Sequence, residues 1–445
     1  MAHNAHFALC WAAMQGDLGN GVATPDGIRI DPDCVLESTE GTQRDGVGGP
    51  LAGLRVIELG SFIAGPFATR AMADFGADVI KVESPRAPDQ MRHWGRHRYR
   101  DHALWWPVQS RGKRLVTLDL AQEEGQRLLL RLLGEADVFV ENLRPGTLER
   151  WNLAPERLLE VNPRLIVARI SGYGQTGRYR DRGGFAAVAE ALGGLRHING
   201  YPDQPPPRAG ISLGDSLASL FALQGILSAL WWRDARGGEG QVIDVSLVES
   251  CFALLESAVP EYDRLGVVRE PSGTGLARLV PSNIFRCADE RWVVIAANAD
   301  NLFRRLATAM GQPELADDAR YATHDARADH QQELEALIAA WTGERDAAEV
   351  DRLMAEAGVP CGPIYSLADI FADPYFRERE LLVETEDPEI GAYTAPGVVP
   401  KLSRTPGAVP PAASWEPGHD NAAVLGELLG LDETTLADLA ERGIT

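Results

Sequence analysis

The chain has 445 residues, 45% of them hydrophobic, with 10 tryptophans and a formal net charge of −21. That length exceeds one typical domain and the apolar content supports a packed core, so intrinsic disorder is excluded. The acidic balance excludes nucleic acid and an anionic membrane surface as main partners, although a local cluster of Arg and Lys still suffices for an anionic ligand. Residues 1–48 are rich in Gly, Asp, Asn and Thr without a persistent period, and read as an appendage. The folded body begins with residues 54–60, a short apolar run closed by Gly60, as expected of a buried parallel strand. Gly65 and Pro66 open a helical pattern through Phe67, Ala71 and Met72, with Pro66 near a favourable first-turn position. A second strand is predicted within residues 75–83, a helix over 123–133, and strands over 137–142 and 164–171, the last clear one. Strands alternating with helices imply a parallel sheet in a Rossmann-like α/β domain.

Residues 248–259 read as a helix ending at Pro260, after which a smaller α/β domain begins. Its pattern is a strand over 292–297 and amphipathic helices over 301–310, 331–341 and 347–358. The expected division is an extension (1–48), the first part of a large domain (49–260), a small domain with linkers (261–376) and a return to the large domain (377–445). Cys10, Cys34, Cys251, Cys287 and Cys361 form no C-x-x-C pair and read as reduced thiols of a cytoplasmic protein. No apolar stretch approaches the ~20 residues that span a bilayer, and residues 7–14 lack the basic flank of a signal peptide.

In parallel α/β sheets ligands gather at the carboxyl ends of the strands. Here those ends carry residues 60–65, Glu83 and Ser84, residues 141–146 and residues 171–174. The first of these is neither a Walker loop nor a G-x-G-x-x-G fingerprint, which argues against nucleotide hydrolysis and hydride transfer. Lys113, Arg114, Arg144 and Arg150 stand near these ends, each either a phosphate ligand or a solvated surface charge. Asp215 follows Gly214 directly and precedes an apolar run at helical spacing. Taken alone, it reads as a helix N-cap.

Several motifs occur together: residues 54–59, Ala64-Gly65-Pro66, residues 76–83, Asn142 with Pro145-Gly146, residues 171–174, Leu213-Gly214-Asp215, residues 358–363 and residues 417–421. In this combination the chain, from about Leu51 to its C-terminus, resembles the class III CoA-transferases. The resemblance implies that Asp215 is a nucleophile passing through a mixed anhydride and an aspartyl-CoA thioester. It implies a CoA thioester as substrate, with no metal, nucleotide or redox cofactor held permanently. By motif position it assigns Phe62, Ile63, Ala64, Lys113, Asn142, Leu143, Arg150, Trp151 and Tyr173 to CoA and its acyl group. Ile63 stands where some members carry glutamine, and Ser84 where some carry arginine, which directs attention to Arg86 for a phosphate. Water must be kept from such intermediates, and glycine amides suit the oxyanions. Gly214 and residues 272–275 are the candidates, the latter being either the family's mobile glycine loop or a plain turn.

The same fold class hosts α-methylacyl-CoA racemases, which need a His opposite the aspartate. Here the corresponding run is Gly183, Gly184, Phe185, Ala186 and Ala187, without His, and His197 lies too far on. A non-catalytic CoA-binding subunit is the other alternative, and the presence of Asp215 argues against it. Residues 185–208 look most like members that transfer CoA from succinyl-CoA to dicarboxylic or hydroxydicarboxylic acids. A second carboxylate on such an acceptor needs a cation, for which Arg208 and Arg96 are the candidates, with Arg92 and Arg196 behind them. The resemblance further implies an interlocked-ring homodimer, or a heteromer with a paralogue.

Overall fold

The computed structural model of the protein describes residues 48–445. Cys10, Cys34 and the expected appendage, save for Gly48, lie outside the described residues. Six strands, β1 (Arg55–Leu59), β2 (Asp78–Glu83), β3 (Lys113–Thr117), β4 (Val138–Glu141), β5 (Ile166–Ser171) and β6 (Val242–Ser246), form one sheet in the order β3-β2-β1-β4-β5-β6. Every pairing is parallel. This is the doubly wound order, with its switch point between β1 and β4. β3 and β6 were not anticipated as strands. Lys113, paired with Glu58, and Arg114, paired with Asp78 at 2.6 Å, open β3, and their charges disguise it.

Successive strand residues point to opposite faces, and this alternation divides the core in two. Ile57, Ile80, Val116, Phe139 and Val167 pack with Leu128, Leu129, Leu132 and Leu133 of α2 (Glu123–Gly134). On the other face Val56, Val79, Val138 and Ile166 pack with Ala68 and Met72 of α1 (Ala64–Asp74). That layer also receives α3 (Ala186–Leu192), α4 (Leu213–Ala235) and α5 (Leu247–Phe252). Ala218, Ala222, Ile226 and Ala229 of α4 are buried there. At 23 residues α4 is, by length and composition alone, apolar enough to cross a membrane. This corrects the expectation that no stretch comes near that length; Asp215 and Arg233 near its ends break up the run in the sequence.

The expected helix over 248–259 is instead two. α5 ends at Phe252, and α6 (Ala258–Leu265) carries Pro260 in its first turn, where proline's missing amide leaves no bond unmade. Further on, β7 (Ser282–Arg286), β8 (Trp292–Ala296) and β9 (Cys361–Pro363) form an antiparallel sheet. α7 (Asp300–Ala309), α8 (Gln331–Thr342) and α9 (Ala347–Glu356) cover it around a separate core that includes Phe285, Val293, Phe303, Leu334 and Met354. The chain then returns to the large sheet, where Val424, Leu425 and Leu429 of α10 (Asn421–Leu429) join the core of the α2 face. The motif before α10 closes the edge strand β3. Asp420 Oδ2 accepts the Leu115 amide at 2.7 Å, Asn421 Oδ1 accepts the Thr117 amide at 2.9 Å, and an edge that would otherwise stay open is satisfied.

Candidate active site

The loop after β1 is held from beneath by buried charges. Glu58 receives Lys81 Nζ at 2.8 Å and Lys113 Nζ at 2.7 Å, and Lys81 also reaches Asp89 at 2.9 Å. The two ammonium groups hold the Glu58 carboxyl below its usual range against the opposing effect of burial. Asp89 Oδ1 then accepts the Phe62 amide at 3.1 Å, while Asn142 at the end of β4 exchanges two 2.9 Å hydrogen bonds with the backbone of Ser61. These contacts fix Phe62 at a φ of 62°, a left-handed conformation that a bulky residue avoids without such support. Its ring meets Trp94 edge-on at 5.7 Å.

Across from this loop stands the start of α4. Ser212 is the N-cap and Asp215 the third helical residue, so Asp215 is not a cap. Its carboxylate accepts no hydrogen bond among the described residues. Burial first, and the charge of Glu190 second, push its pKa up to about 6, with Arg208 pulling the other way. Ser219 Oγ shares its single hydrogen between the Asp215 and Ala64 carbonyl oxygens, 2.7 Å from each, and so ties the helix that carries Asp215 to the start of α1. Gly214 allows the close approach of α3, since a Cβ there would meet the Ala186 carbonyl oxygen at 3.1 Å and its Cα at 3.2 Å.

Between these walls lies a cavity of about 570 Å³, lined by Phe62, Ile63, Ala64, Asn142, Leu143, Arg208 and Asp215 among others. The structure thus brings together seven of the residues singled out in the sequence. Others lie elsewhere. Lys113 is fully buried, its Nζ committed to Glu58 and, at 2.8 Å, to the Pro66 carbonyl, so it supports the loop instead of meeting a phosphate. Arg150 is exposed and bonded to Thr147 Oγ1 at 2.9 Å, and Trp151 packs against the α2 core; neither lines the cavity. Tyr173 stands just behind its wall, against Gly184. Arg96 is exposed outside it. Arg92 is locked to Glu83 by two 2.8 Å contacts, and Arg196 to the Pro206 carbonyl at 2.9 Å. Arg86 pairs with Asp119 at 3.1 Å.

Two of the expected oxyanion donors are occupied. The Gly214 amide donates to Glu190 Oε1 at 3.3 Å, and the Gly273 amide to the Gly200 carbonyl at 2.8 Å, with residues 272–275 outside the cavity lining. Phe185, Ala186 and Ala187 line the wall where a racemase would need its second base, and no histidine lines the cavity among the described residues. His197 faces Glu270 at 3.6 Å on the surface. Sequence reasoning missed Trp94, hidden in an Arg-rich run, and Glu190, hidden in an apolar one. It also left Arg144 without a definite place; this residue lines the cavity.

The profile of CoA-transferase family III matches residues 51–421. The chain belongs to that family and is a CoA-transferase. It is 51% identical over 398 residues to the succinyl-CoA–D-citramalate CoA-transferase of Chloroflexus aurantiacus, which spans 89% of this chain and 98% of that protein. It is 41% identical over 413 residues to the alpha subunit of the succinyl-CoA–L-malate CoA-transferase of the same organism, spanning 92% of this chain and 95% of the relative. Among solved structures, a CAIB/BAIF family protein from Brucella suis superposes with a TM-score of 0.75 at 34% identity, covering 86% of this chain and all (100%) of that one.

Proposed function

We propose that this enzyme moves CoA from succinyl-CoA to a dicarboxylic acid of the citramalate or malate kind, through covalent intermediates on Asp215. The observation that carries the reading is the Asp215 carboxylate itself, unbonded among the described residues and open to the cavity opposite residues 61–64. With its pKa at about 6, most of it is ionised at neutral pH and ready to act as a nucleophile. Its oxygen attacks the thioester carbonyl, the C–S bond breaks, and CoA leaves as the thiolate, giving a succinyl-aspartyl anhydride. The thiolate then attacks the Asp215 carbonyl, expels succinate and forms the aspartyl-CoA thioester. The acceptor carboxylate attacks that thioester, and the returning thiolate attacks the acceptor's carbonyl in the resulting anhydride. This releases the new thioester and restores Asp215. Thioester energy is conserved throughout, so the chemistry calls for no metal or nucleotide.

Ile63, Ala64 and Leu143 give the cavity apolar walls that keep water from these intermediates. Arg208, within the lining and close enough to lower the Asp215 pKa, suits the second carboxylate of donor and acceptor. The names of the two Chloroflexus relatives support the same substrates. For assembly we propose a second chain, a copy of this one or a paralogue, as the alpha-subunit relative suggests. Exposed Leu220, Leu227, Trp231 and Trp232 on α4 give such a partner an apolar face to cover.

The test is to incubate the protein with succinyl-CoA, quench with hydroxylamine and map the modified peptide by mass spectrometry. A single hydroxamate at Asp215, absent without succinyl-CoA, is the expected result. Modification elsewhere, or turnover undiminished in Asp215→Asn, rejects the reading.

A further inference from the structure

Glu190 has no step in the reaction above, yet it is a buried carboxylate beside the nucleophile. It sits on α3 one turn past Ala186, with its side chain 2% exposed. It lines, on its far side, a second cavity of about 420 Å³ that Arg196 also lines, and Arg196 donates to the Pro206 carbonyl instead of to Glu190. The other groups facing it among the described residues are few. From α4 the Gly214 amide donates to its Oε1 at 3.3 Å. From the segment before α4, Arg208 Nε approaches its Oε2 at 4.0 Å. Asp215 lies beside it in the first turn of α4. From α5 it faces Cys251, whose thiol is pushed up to about 11 by burial and by the two carboxylates. One guanidinium therefore serves two carboxylates. At 4.0 Å its pairing with Glu190 is charge attraction without a hydrogen bond, and its side chain is 46% exposed in the cavity lining, so its N–H donors remain free for a further anion.

Resting on the reading of the substrates as dicarboxylates, we infer that Glu190 is the built-in rival of the substrate's non-reacting carboxylate for Arg208. When succinyl-CoA or the acceptor binds, its distal carboxylate takes the guanidinium. When succinate must leave so that the acceptor can enter, Glu190 reclaims it. A fixed anion of this kind weakens ground-state binding of dicarboxylates and quickens their exchange, which a two-acid ping-pong reaction needs more than tight binding. Glu190 thus acts on substrate through Arg208 and is a specificity and release device, not a catalytic residue.

Glu190→Gln tests this, because the glutamine oxygen still accepts the Gly214 amide while the charge is removed. Calorimetric binding of succinate and of butyrate to the free protein needs no turnover. Succinate should bind roughly five- to tenfold more tightly to Glu190→Gln than to the wild type, butyrate nearly as before, and succinate should become the stronger product inhibitor. Most of that gain should vanish in the Arg208→Gln background, a coupling that a purely structural role would not produce. Infrared titration of the Asp215 carboxyl, taken as the difference from Asp215→Asn, should fall by about one pH unit in Glu190→Gln. Glu190→Asp, which keeps the charge, should stay nearer the wild type and serves if the glutamine variant folds poorly. Equal changes for succinate and butyrate, or additive effects of the two substitutions, would overturn the inference. A lack of acylation at Asp215 would instead overturn the transfer mechanism, while leaving these binding measurements readable.

Discussion

Ser219 Oγ donates to the Ala64 carbonyl at 2.7 Å, joining the second turn of α4 to the first residue of α1. Through this bond the helix that carries Asp215 and the loop that carries Phe62 and Ile63 form one rigid frame. The separation across the cavity is then set by packed helices and one short serine side chain, not by long flexible ones.

The first prediction concerns pH. The reaction needs Asp215 ionised, and its pKa lies at about 6, so kcat/KM should rise tenfold per pH unit below that value and level off above it. Asp215→Asn should abolish the transfer. A wild-type profile flat between pH 5 and pH 8 would show that another group carries the reaction.

Stability should run the other way. An acid whose folded pKa of about 6 exceeds its unfolded value of 3.8 destabilises the fold as pH rises past 3.8, fully so above about 6. Asp215→Asn should therefore unfold with ~2 kcal/mol more free energy than the wild type at pH 7.5, the gap closing below pH 4. Chemical denaturation at the two pH values checks this, and a less stable variant at pH 7.5 would contradict it.

Changing Arg208 to Met should raise the KM for a dicarboxylate acceptor about tenfold or more, and that for a monocarboxylate of equal length far less. Equal losses would mean that Arg208 only braces the chain before α4.

Lys113→Met should act on stability, costing ~3 kcal/mol by leaving Glu58 with Lys81 as its single buried cation, beside the neutral Thr69 hydroxyl. The KM for succinyl-CoA in the folded fraction should be unchanged. A large rise in that KM with normal stability would restore Lys113 as a CoA contact.

Gly214→Ala would place a methyl 3.1 Å from the Ala186 carbonyl oxygen. Such overpacking costs ~1–3 kcal/mol, and shifting the Asp215 turn should lower kcat by about tenfold with a smaller effect on KM. An unchanged kcat would show that α3 yields without moving Asp215.

The elements that could be read in the sequence are those whose pattern owes nothing to distant partners. β1, β2, β4 and β5 are short runs dominated by Val, Ile, Leu and Phe in which Glu58, Lys81 and Arg169 stand as single charges between apolar neighbours, and the three helices of the small sheet have clear amphipathic spacing. β3 could not be read this way because Lys113 and Arg114 occupy its first two positions. Lys113 is buried only because Glu58, 55 residues away in sequence, receives it. The site divides similarly. Asp215 and the 62–64 and 142–143 segments are fixed by local motifs at strand and helix ends. Glu190 sits among alanines, where nothing local tells that its carboxylate faces Gly214 and Arg208.

The apolar length of α4 also bears on how the chain is made. A segment long and greasy enough to pass for a bilayer span is a hazard while it emerges from the ribosome. Yet β5 and α1, which it packs against, precede it in the chain, and β6 arrives 7 residues after it ends, at Val242. Much of the surface that covers Ala218, Ala222 and Ile226 is therefore already synthesised when α4 appears, and that face can dock without waiting for the distant C-terminus, while Leu220, Leu227, Trp231 and Trp232 stay exposed.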